Sequence, residues 1–282
     1  MKTTLYMLTE SSQKQMMSYV LQTYTGKLLV IDGGNKADAG HLLDKLIQLG
    51  GNKPEICLWF LTHPHPDHIG AFLEIMARED LIKVNKVYSR FWSYDFYMNG
   101  HGPIELELDS SALKGFDEFT KRHGEICAKF EKGQQFSIDD VSIKILHVPE
   151  KPIYEGDKFN NSSSIFRLEV GGQRVLFLGD LAEEGGRQVM ESVEPAELKA
   201  EIVQMAHHGQ NGVGKEFYDA VSPKICLWNT PHWLWDNDNG YGYNSGPWKT
   251  LEVRRWMQDM GVTKNYISKD GDQAFPLPYQ ID

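Results

Sequence analysis

The chain has 282 residues, 41% hydrophobic and 24% charged, which is ordinary globular usage with length enough to bury a large core, and it argues against disorder. Lys and Arg number 29 against 39 Asp and Glu, and the resulting net charge of −10 argues against a long nucleic acid or an anionic membrane as partner. A substrate carrying one or two phosphates stays compatible, because a metal ion supplies positive field locally.

Three β-type runs open the chain at 3–8, 18–23 and 27–31, the last stopped by Asp32-Gly33-Gly34. Leu42, Leu43, Leu46 and Ile47 fall at helical spacing and predict a helix over 37–49. Residues 55–61 are almost continuously apolar, as in a strand covered on both faces, and run straight into Thr62-His63. A helix is expected over 69–78 and a strand over 84–89. Residues of about 90–135 interrupt this rhythm as an insertion, with an aromatic cluster (Phe91, Trp92, Tyr94, Phe96, Tyr97) and a helix predicted over 111–130. Strands follow at 141–148, 164–170 and 174–178, then a helix over 184–192 and strands at 201–205 and 224–228. Val253, Trp256, Met257 and Met260 give 250–260 an amphipathic helical face, and 265–268 with 273–277 read as a closing hairpin. Strands arrive in two batches with helices between them, and no repeat or linker divides the chain. The expectation is one domain over 1–282, a layered α/β fold with two sheets face to face and helices outside.

Cys57, Cys127 and Cys226 are too few for a disulfide framework and read as buried thiols of a reducing compartment. No stretch approaches the roughly 20 apolar residues of a membrane span, and the N-terminus turns polar too soon for a secretory segment. A cytoplasmic protein is expected, although a trimmed signal peptide would leave no trace.

The sharpest feature is Thr62-His63-Pro64-His65-Pro66-Asp67-His68. Three imidazoles and a carboxylate directly after a buried strand are hard to explain as core or as solvated surface. Alternation points His63 and His65 one way and leaves Asp67 and His68 to the other side, so one loop serves two neighbouring metal sites. Pro64 and Pro66 stiffen it. The nitrogen-rich set favours zinc, with iron or manganese as alternatives where carboxylates share the site. Asp32, Asp180 and the pair His207/His208 also stand at strand ends, where ligands collect in layered α/β folds. Asp32 reads equally as a residue orienting a ligand or as a turn cap. His147 ends a strand and is at least as readily structural as a ligand. His232, beside Trp233 and Trp235, is a candidate substrate contact or part of an aromatic plug, as is Asn161 for substrate or for support of the metal site.

This combination resembles the metallo-β-lactamase superfamily of metal-dependent hydrolases, over essentially the whole chain: Ile31-Asp32-Gly33-Gly34, the His63–His68 motif, Leu178-Gly179-Asp180 and Ala206-His207-His208-Gly209. The Asn-Ser-Ser run before a strand, the His-His-Gly motif and the Lys269-Asp270-Gly271-Asp272 turn look most like the branch containing the hydrolase domain of the DNA-uptake protein ComEC and the phosphorylcholine esterases. The resemblance implies a four-layer αβ/βα sandwich with a dinuclear centre of two divalent metals between the sheets. By it, His63 and His65 look like ligands of one metal, Asp67, His68 and one His of His207/His208 like ligands of the other, and Asp180 like the bridge. His-Gly settings in the superfamily favour His208 as that ligand and leave His207 to face the substrate's oxyanion. Most members place a third His about 20 residues before the bridge; here that position falls on Asn160, a weak or absent ligand, and the branch shares this loss. The branch's Asn-x-x-Gly-His-Pro run also lacks its His here, in Tyr241-Gly242-Tyr243-Asn244-Ser245-Gly246-Pro247.

The resulting expectation is a hydrolase in which a hydroxide between two metals attacks a small phosphodiester or phosphate ester, with Asp67 or Asp180 holding or taking a proton and His207 stabilising charge. Rival readings are a lactonase or thioesterase, a nuclease on short single strands, and a non-catalytic metal-binding module. The expected partner is a small-molecule ester, with no membrane and no long nucleic acid.

Overall fold

The computed structural model describes residues 1–78, 80–99, 106–150 and 157–281. Residues 100–105 of the expected insertion lie outside the described residues. Strands β1 (Thr4–Met7), β2 (Ser18–Gln22), β3 (Leu28–Asp32), β4 (Glu55–Phe60), β5 (Lys83–Val84), β6 (Val87–Ser89) and β7 (Cys127–Lys129) build the first sheet together with the last strand, β15 (Gln273–Pro276). Its order is β15-β1-β2-β3-β4-β6-β7, with β5 beside β4. The second sheet holds β8 (Gln135–Ile138), β9 (Val141–His147), β10 (Ile165–Val170), β11 (Gln173–Phe177), β12 (Ile202–Gln204), β13 (Ile225–Trp228) and β14 (Lys264–Ile267). Its order runs from β14 down to β8 without a break.

Side-chain alternation with period two explains the layering. Tyr19, Leu21, Leu29 and Ile31 point between the sheets and meet Ile143, Ile145, Phe166, Phe177, Ile225 and Leu227 from the other side. Val20, Leu28 and Val30 point outward, under α1 (Ala39–Gly50), α2 (Pro66–Met76) and α4 (Leu106–Arg122). On the second sheet Leu176, Val203 and Cys226 face α5 (Glu183–Ser192), α7 (Lys215–Val221) and α9 (Thr250–Asp259). Short helical turns α3 (Tyr94–Met98), α6 (Pro195–Leu198) and α8 (His232–Trp235) complete the chain. Each fully buried Leu, Ile or Phe contributes about 1.5–3 kcal/mol, so the strands with every residue buried, β2 and β3 in the first sheet and β12 and β13 in the second, are held from both faces. No helix among the described residues is long and apolar enough to cross a membrane.

Four expectations change. The predicted helix over 111–130 stops at Arg122, and Cys127–Lys129 pairs with β6 as an edge strand, since a strand edge there needs partners that a longer helix would deny it. The predicted strand over 84–89 is two short pieces. The closing hairpin does not form: β14 runs parallel to β13 in one sheet, while β15 runs antiparallel to β1 in the other, so the turn at Ser268–Asp270 carries the chain across the sandwich. All three cysteines are free, but only Cys226 is buried; Cys57 and Cys127 are half-buried.

Candidate metal centre

Strands β3 and β4 run parallel, as do β11, β12 and β13, so their C-terminal ends collect at one edge of the sandwich. Asp32 ends β3, His63 follows β4, Asp180 follows β11 and His208 follows β12. Helix α2 begins at Pro66, three residues before the expected start. Proline suits that first position because its missing N–H has no helical partner there. The first turn of α2, rather than a loop, therefore presents Asp67 and His68.

Two donor sets result. Asp67, His68, Asp180 and His208 bring one ligand atom each to within 4.8 Å of one another, and so do His63, His65 and Asp180, so Asp180 belongs to both. In the first of these, His208 Nε2 stands 3.1 Å from Asp67 Oδ2 and 3.1 Å from Asp180 Oδ2, and His68 Nε2 stands 3.2 Å from Asp180 Oδ1. In the second, His63 Nε2 lies 3.1 Å from His65 Nδ1 and 4.0 Å from Asp180 Oδ2. His63, His68 and His208 are fully buried and Asp180 nearly so.

The far nitrogens of these rings are fixed by the protein. Asp32 Oδ2 accepts from His68 Nδ1 at 2.7 Å, while Thr62 donates its amide to Oδ1 at 2.8 Å and its hydroxyl to Oδ2 at 2.7 Å. Asp32 thus orients the His68 ring, and its backbone sits at a φ of +54°. His208 Nδ1 donates to the Asn229 carbonyl at 2.9 Å, which leaves its Nε2 lone pair for the cluster. His65 stacks on Phe159 at 4.7 Å between centroids, and Phe159 stacks in turn on Tyr97, whose hydroxyl donates to Ser162 at 2.8 Å. The insertion's aromatics accordingly form their own small core and reach the centre through Phe159.

The adjacent histidines part because both lie in the left-handed region, His207 at φ +50° and His208 at +55°. Such backbone costs about 1–3 kcal/mol per residue and persists only where its surroundings hold it. His208 turns into the donor set. His207 instead receives the Asn160 amide Nδ2 on its Nε2 at 3.2 Å and lies 3.3 Å by Nδ1 from the Asn211 carbonyl. In this arrangement its Nε2 is an acceptor rather than the donor expected of it. Asn160 also donates to Asp157 at 2.6 Å, which fixes its amide and leaves Oδ1 buried without a hydrogen-bond partner among the described residues.

Electrostatics show what the cluster lacks. Burial pushes His63 well below the ordinary imidazole range. Burial would lower His68 and His208 too, but Asp180 and its carboxylate neighbours outweigh it, raising His68 well above the ordinary value and His208 to about 9. Burial would likewise raise Asp67 and Asp180, yet the facing imidazoles hold both below the usual carboxylate range. The set calls for positive charge. Among the described residues, His68 Nε2 and both Asp180 carboxylate oxygens are buried without a hydrogen bond, close neighbours whose geometry makes none. Such atoms cost about 1–3 kcal/mol each when unsatisfied, and imidazole nitrogens with carboxylate oxygens are a transition-metal donor set. The residues fit two divalent cations.

The remaining candidates fall outside both sets. Asn161 Oδ1 accepts the Gly185 amide at 2.9 Å and so serves the start of α5. His232 is exposed at the start of α8. His147 lines a separate cleft with Glu150, Gln188 and Glu191. Sequence reasoning passed over Thr62, Asn229, Asp157 and Gln204. Gln204 accepts the Leu178 amide and donates to the Gly179 carbonyl, which shapes the turn into Asp180. Its signal was a Gln inside the apolar run Ile202-Val203-Gln204-Met205.

The chain is therefore an αβ/βα sandwich whose strand ends carry two His/Asp donor sets sharing one aspartate, a candidate dinuclear metal centre. Residues 14–216 match the model of the metallo-beta-lactamase superfamily, and the chain belongs to that superfamily. It is 30% identical over 168 residues, 59% of its length, to ComE operon protein 3 of Bacillus subtilis (strain 168), and it spans only 19% of that protein. Among solved structures it is similar to the metallo-beta-lactamase fold protein YhfI from Bacillus subtilis, with a TM-score of 0.57 and 12% identity over 96% of this chain and 99% of that one. It is also similar to Zn(2+)-bound PqqB from Methylobacterium extorquens, with a TM-score of 0.53 and 12% identity over 97% and 100%. The diiron beta-hydroxylase CmlA from Streptomyces venezuelae gives 0.53 and 14% over 98% of this chain and 54% of that one. At these identities the likeness is one of fold, and since one neighbour is zinc-bound and another a diiron enzyme, the fold leaves the metal open.

Proposed function

We propose that the chain is a metal-dependent hydrolase of a small phosphodiester or phosphate ester. The observation that carries this reading is the meeting of two donor sets at the buried Asp180, whose carboxylate oxygens have no hydrogen bond among the described residues. In this reading His63 and His65 hold one divalent cation, Asp67, His68 and His208 hold the other, and Asp180 joins them. Zinc suits the nitrogen-rich donors, with manganese or iron as alternatives. When bound, such a pair supplies water of lowered pKa and a positive clamp for the attacking and leaving oxygens of an in-line displacement.

The protein's own side chains do the positioning. Asp32 and the Asn229 carbonyl keep the Nε2 lone pairs of His68 and His208 aimed inward. Phe159 holds the His65 ring in plane. His207, lowered by burial, stands with Asn160 and feels the carboxylate of Asp180, the residue common to both donor sets. The sparser set, His63, His65 and Asp180, has room for a phosphoryl oxygen, and the net charge of −10 favours a small ester over a long polyanion.

The test is metal analysis of protein purified without chelator, followed by kcat/KM on bis(nitrophenyl) phosphate, a phosphorylcholine ester, a short oligonucleotide, a lactone and a cephalosporin. A phosphoester is expected to win. A lactone or cephalosporin ahead by about tenfold, a difference of ~1.4 kcal/mol in transition-state binding, refutes the phosphoester reading.

A further inference from the structure

On the outer side of the second sheet, a cleft of about 710 Å³ opens between α9, the loop that precedes it and the turn into β14. That is the size of a small-ligand site. Its lining includes Trp235, Tyr243, Asn244, Arg254, Arg255 and Gln258 and contains no acidic residue. Five of the chain's eight arginines, Arg78, Arg122, Arg167, Arg174 and Arg187, pair with glutamates. Arg254 and Arg255 have no carboxylate within 4.0 Å among the described residues, although Glu252 and Asp259 share their helix. Both arginines line a cleft without an acidic residue, and the positive potential they give it favours an anionic group. In a chain of net charge −10 this is an unusual place to concentrate positive charge.

A second observation points to the rest of the ligand. Tyr243 and Tyr241 are 69% and 90% exposed on the loop at the cleft's mouth. The loop is pinned: Asp238 Oδ1 accepts the amides of Gly240 and Gly242 at 2.7 and 2.8 Å, and both glycines sit at φ +101°, which side-chain-bearing residues rarely adopt. Tyrosines held outward in this way do no packing. Arg254 is held as well, its guanidinium 3.9 Å from the Trp235 ring centroid and donating to the Trp235 carbonyl at 3.0 Å. Arg255 is exposed, with no ion pair among the described residues.

We infer that this cleft binds a nucleotide unit. Arg254 and Arg255 take its phosphate, the Tyr243 ring stacks on its base, and the amides of Asn244 and Gln258 reach the base's polar edge. A free mononucleotide and one unit of a single strand offer the same chemistry. The inference rests on the cleft alone and stands whether or not the metal centre hydrolyses phosphoesters.

The test is calorimetric titration of the metal-loaded protein with thymidine monophosphate, thymidine, inorganic phosphate and a short oligothymidylate. Arg255→Ala and Tyr243→Ala, both at exposed positions, probe the cleft, and Asp180→Ala removes the metal centre without touching it. Thymidine monophosphate is expected to bind saturably, about tenfold more weakly in either cleft variant and equally well to Asp180→Ala, with thymidine and phosphate each at least about tenfold weaker than the whole nucleotide. An oligothymidylate that binds tighter than the monophosphate identifies a strand as the source; equal affinity identifies the free nucleotide. Three results overturn the inference: no saturation below about 5 mM, phosphate binding as tightly as nucleotide, or binding that survives both cleft substitutions and disappears in Asp180→Ala.

Discussion

Replacing Asp32 by Asn changes one buried oxygen to an amide nitrogen and leaves the shape almost intact. Asp32 accepts three hydrogen bonds, from the Thr62 amide, the Thr62 hydroxyl and His68 Nδ1, at 2.7–2.8 Å. An asparagine cannot reproduce them in either orientation. With its oxygen toward the Thr62 amide, its NH2 group faces His68 Nδ1 and forces the imidazole proton onto Nε2, the atom 3.2 Å from Asp180. With its oxygen toward His68, its NH2 group faces the Thr62 N–H and loses that bond. The first orientation removes a lone pair from the donor set, and the second leaves a buried amide unsatisfied. Loss of a carboxylate behind a ligating imidazole weakens metal binding by about ten- to a hundredfold, or ~1.4–2.7 kcal/mol. The assay is competition with a fluorescent chelator, resolved into two affinities. Asp32→Asn should weaken the metal held by Asp67, His68 and His208 by that factor and leave the one at His63 and His65 within about threefold. Equal weakening of both, or of neither, refutes the assignment of Asp32 to His68.

Asp180→Ala should lose metal from both sets by elemental analysis, because both share that carboxylate; full occupancy in the variant contradicts the shared role. His208→Ala should lower metal content, whereas His207→Ala should keep the metal and lower kcat, since only His208 Nε2 enters a donor set; the reverse pattern exchanges their roles. His147 carries a pH prediction. Burial, with Lys132 adding to it, lowers this imidazole to about 4, against about 6.5 in an unfolded chain. Between those values the unfolded state binds the extra proton, so stability falls as pH drops through that window and the loss is complete below it. The cost from pH 7 to pH 5 is about 2 kcal/mol. Urea unfolding of metal-free protein should show that difference shrink in His147→Gln, and an unchanged acid limb counts against it.

Much of the centre was readable in the chain because its signals are local. A buried strand followed at once by His63-Pro64-His65-Pro66-Asp67-His68 needs only period-two alternation to be read as two sets of donors. The same strand-end signal marks Asp180 and the His207-His208 pair. Two batches of apolar strands with helices between them already implied two sheets, and each strand's buried face follows from its own alternation. What local pattern cannot carry is the choice of partner. Residues 265–268 and 273–277 read as a hairpin because both are short and β-like, yet they lie in different sheets, and only packing on β13 and β1 decides that. The strand at Cys127–Lys129 likewise exists because β6 offers an unpaired edge, a fact with no trace in its own residues. Asp32, equally a cap or a support when read alone, became the partner of His68 once a chain separation of 36 residues was closed. The division of labour between His207 and His208 depends on two left-handed residues, and the orientation of Asn160 on a carboxylate three positions away. A backbone turn or a fixed amide is settled by the groups around it, so tertiary structure decided which atom faces the candidate centre and the sequence which residues were available to do so.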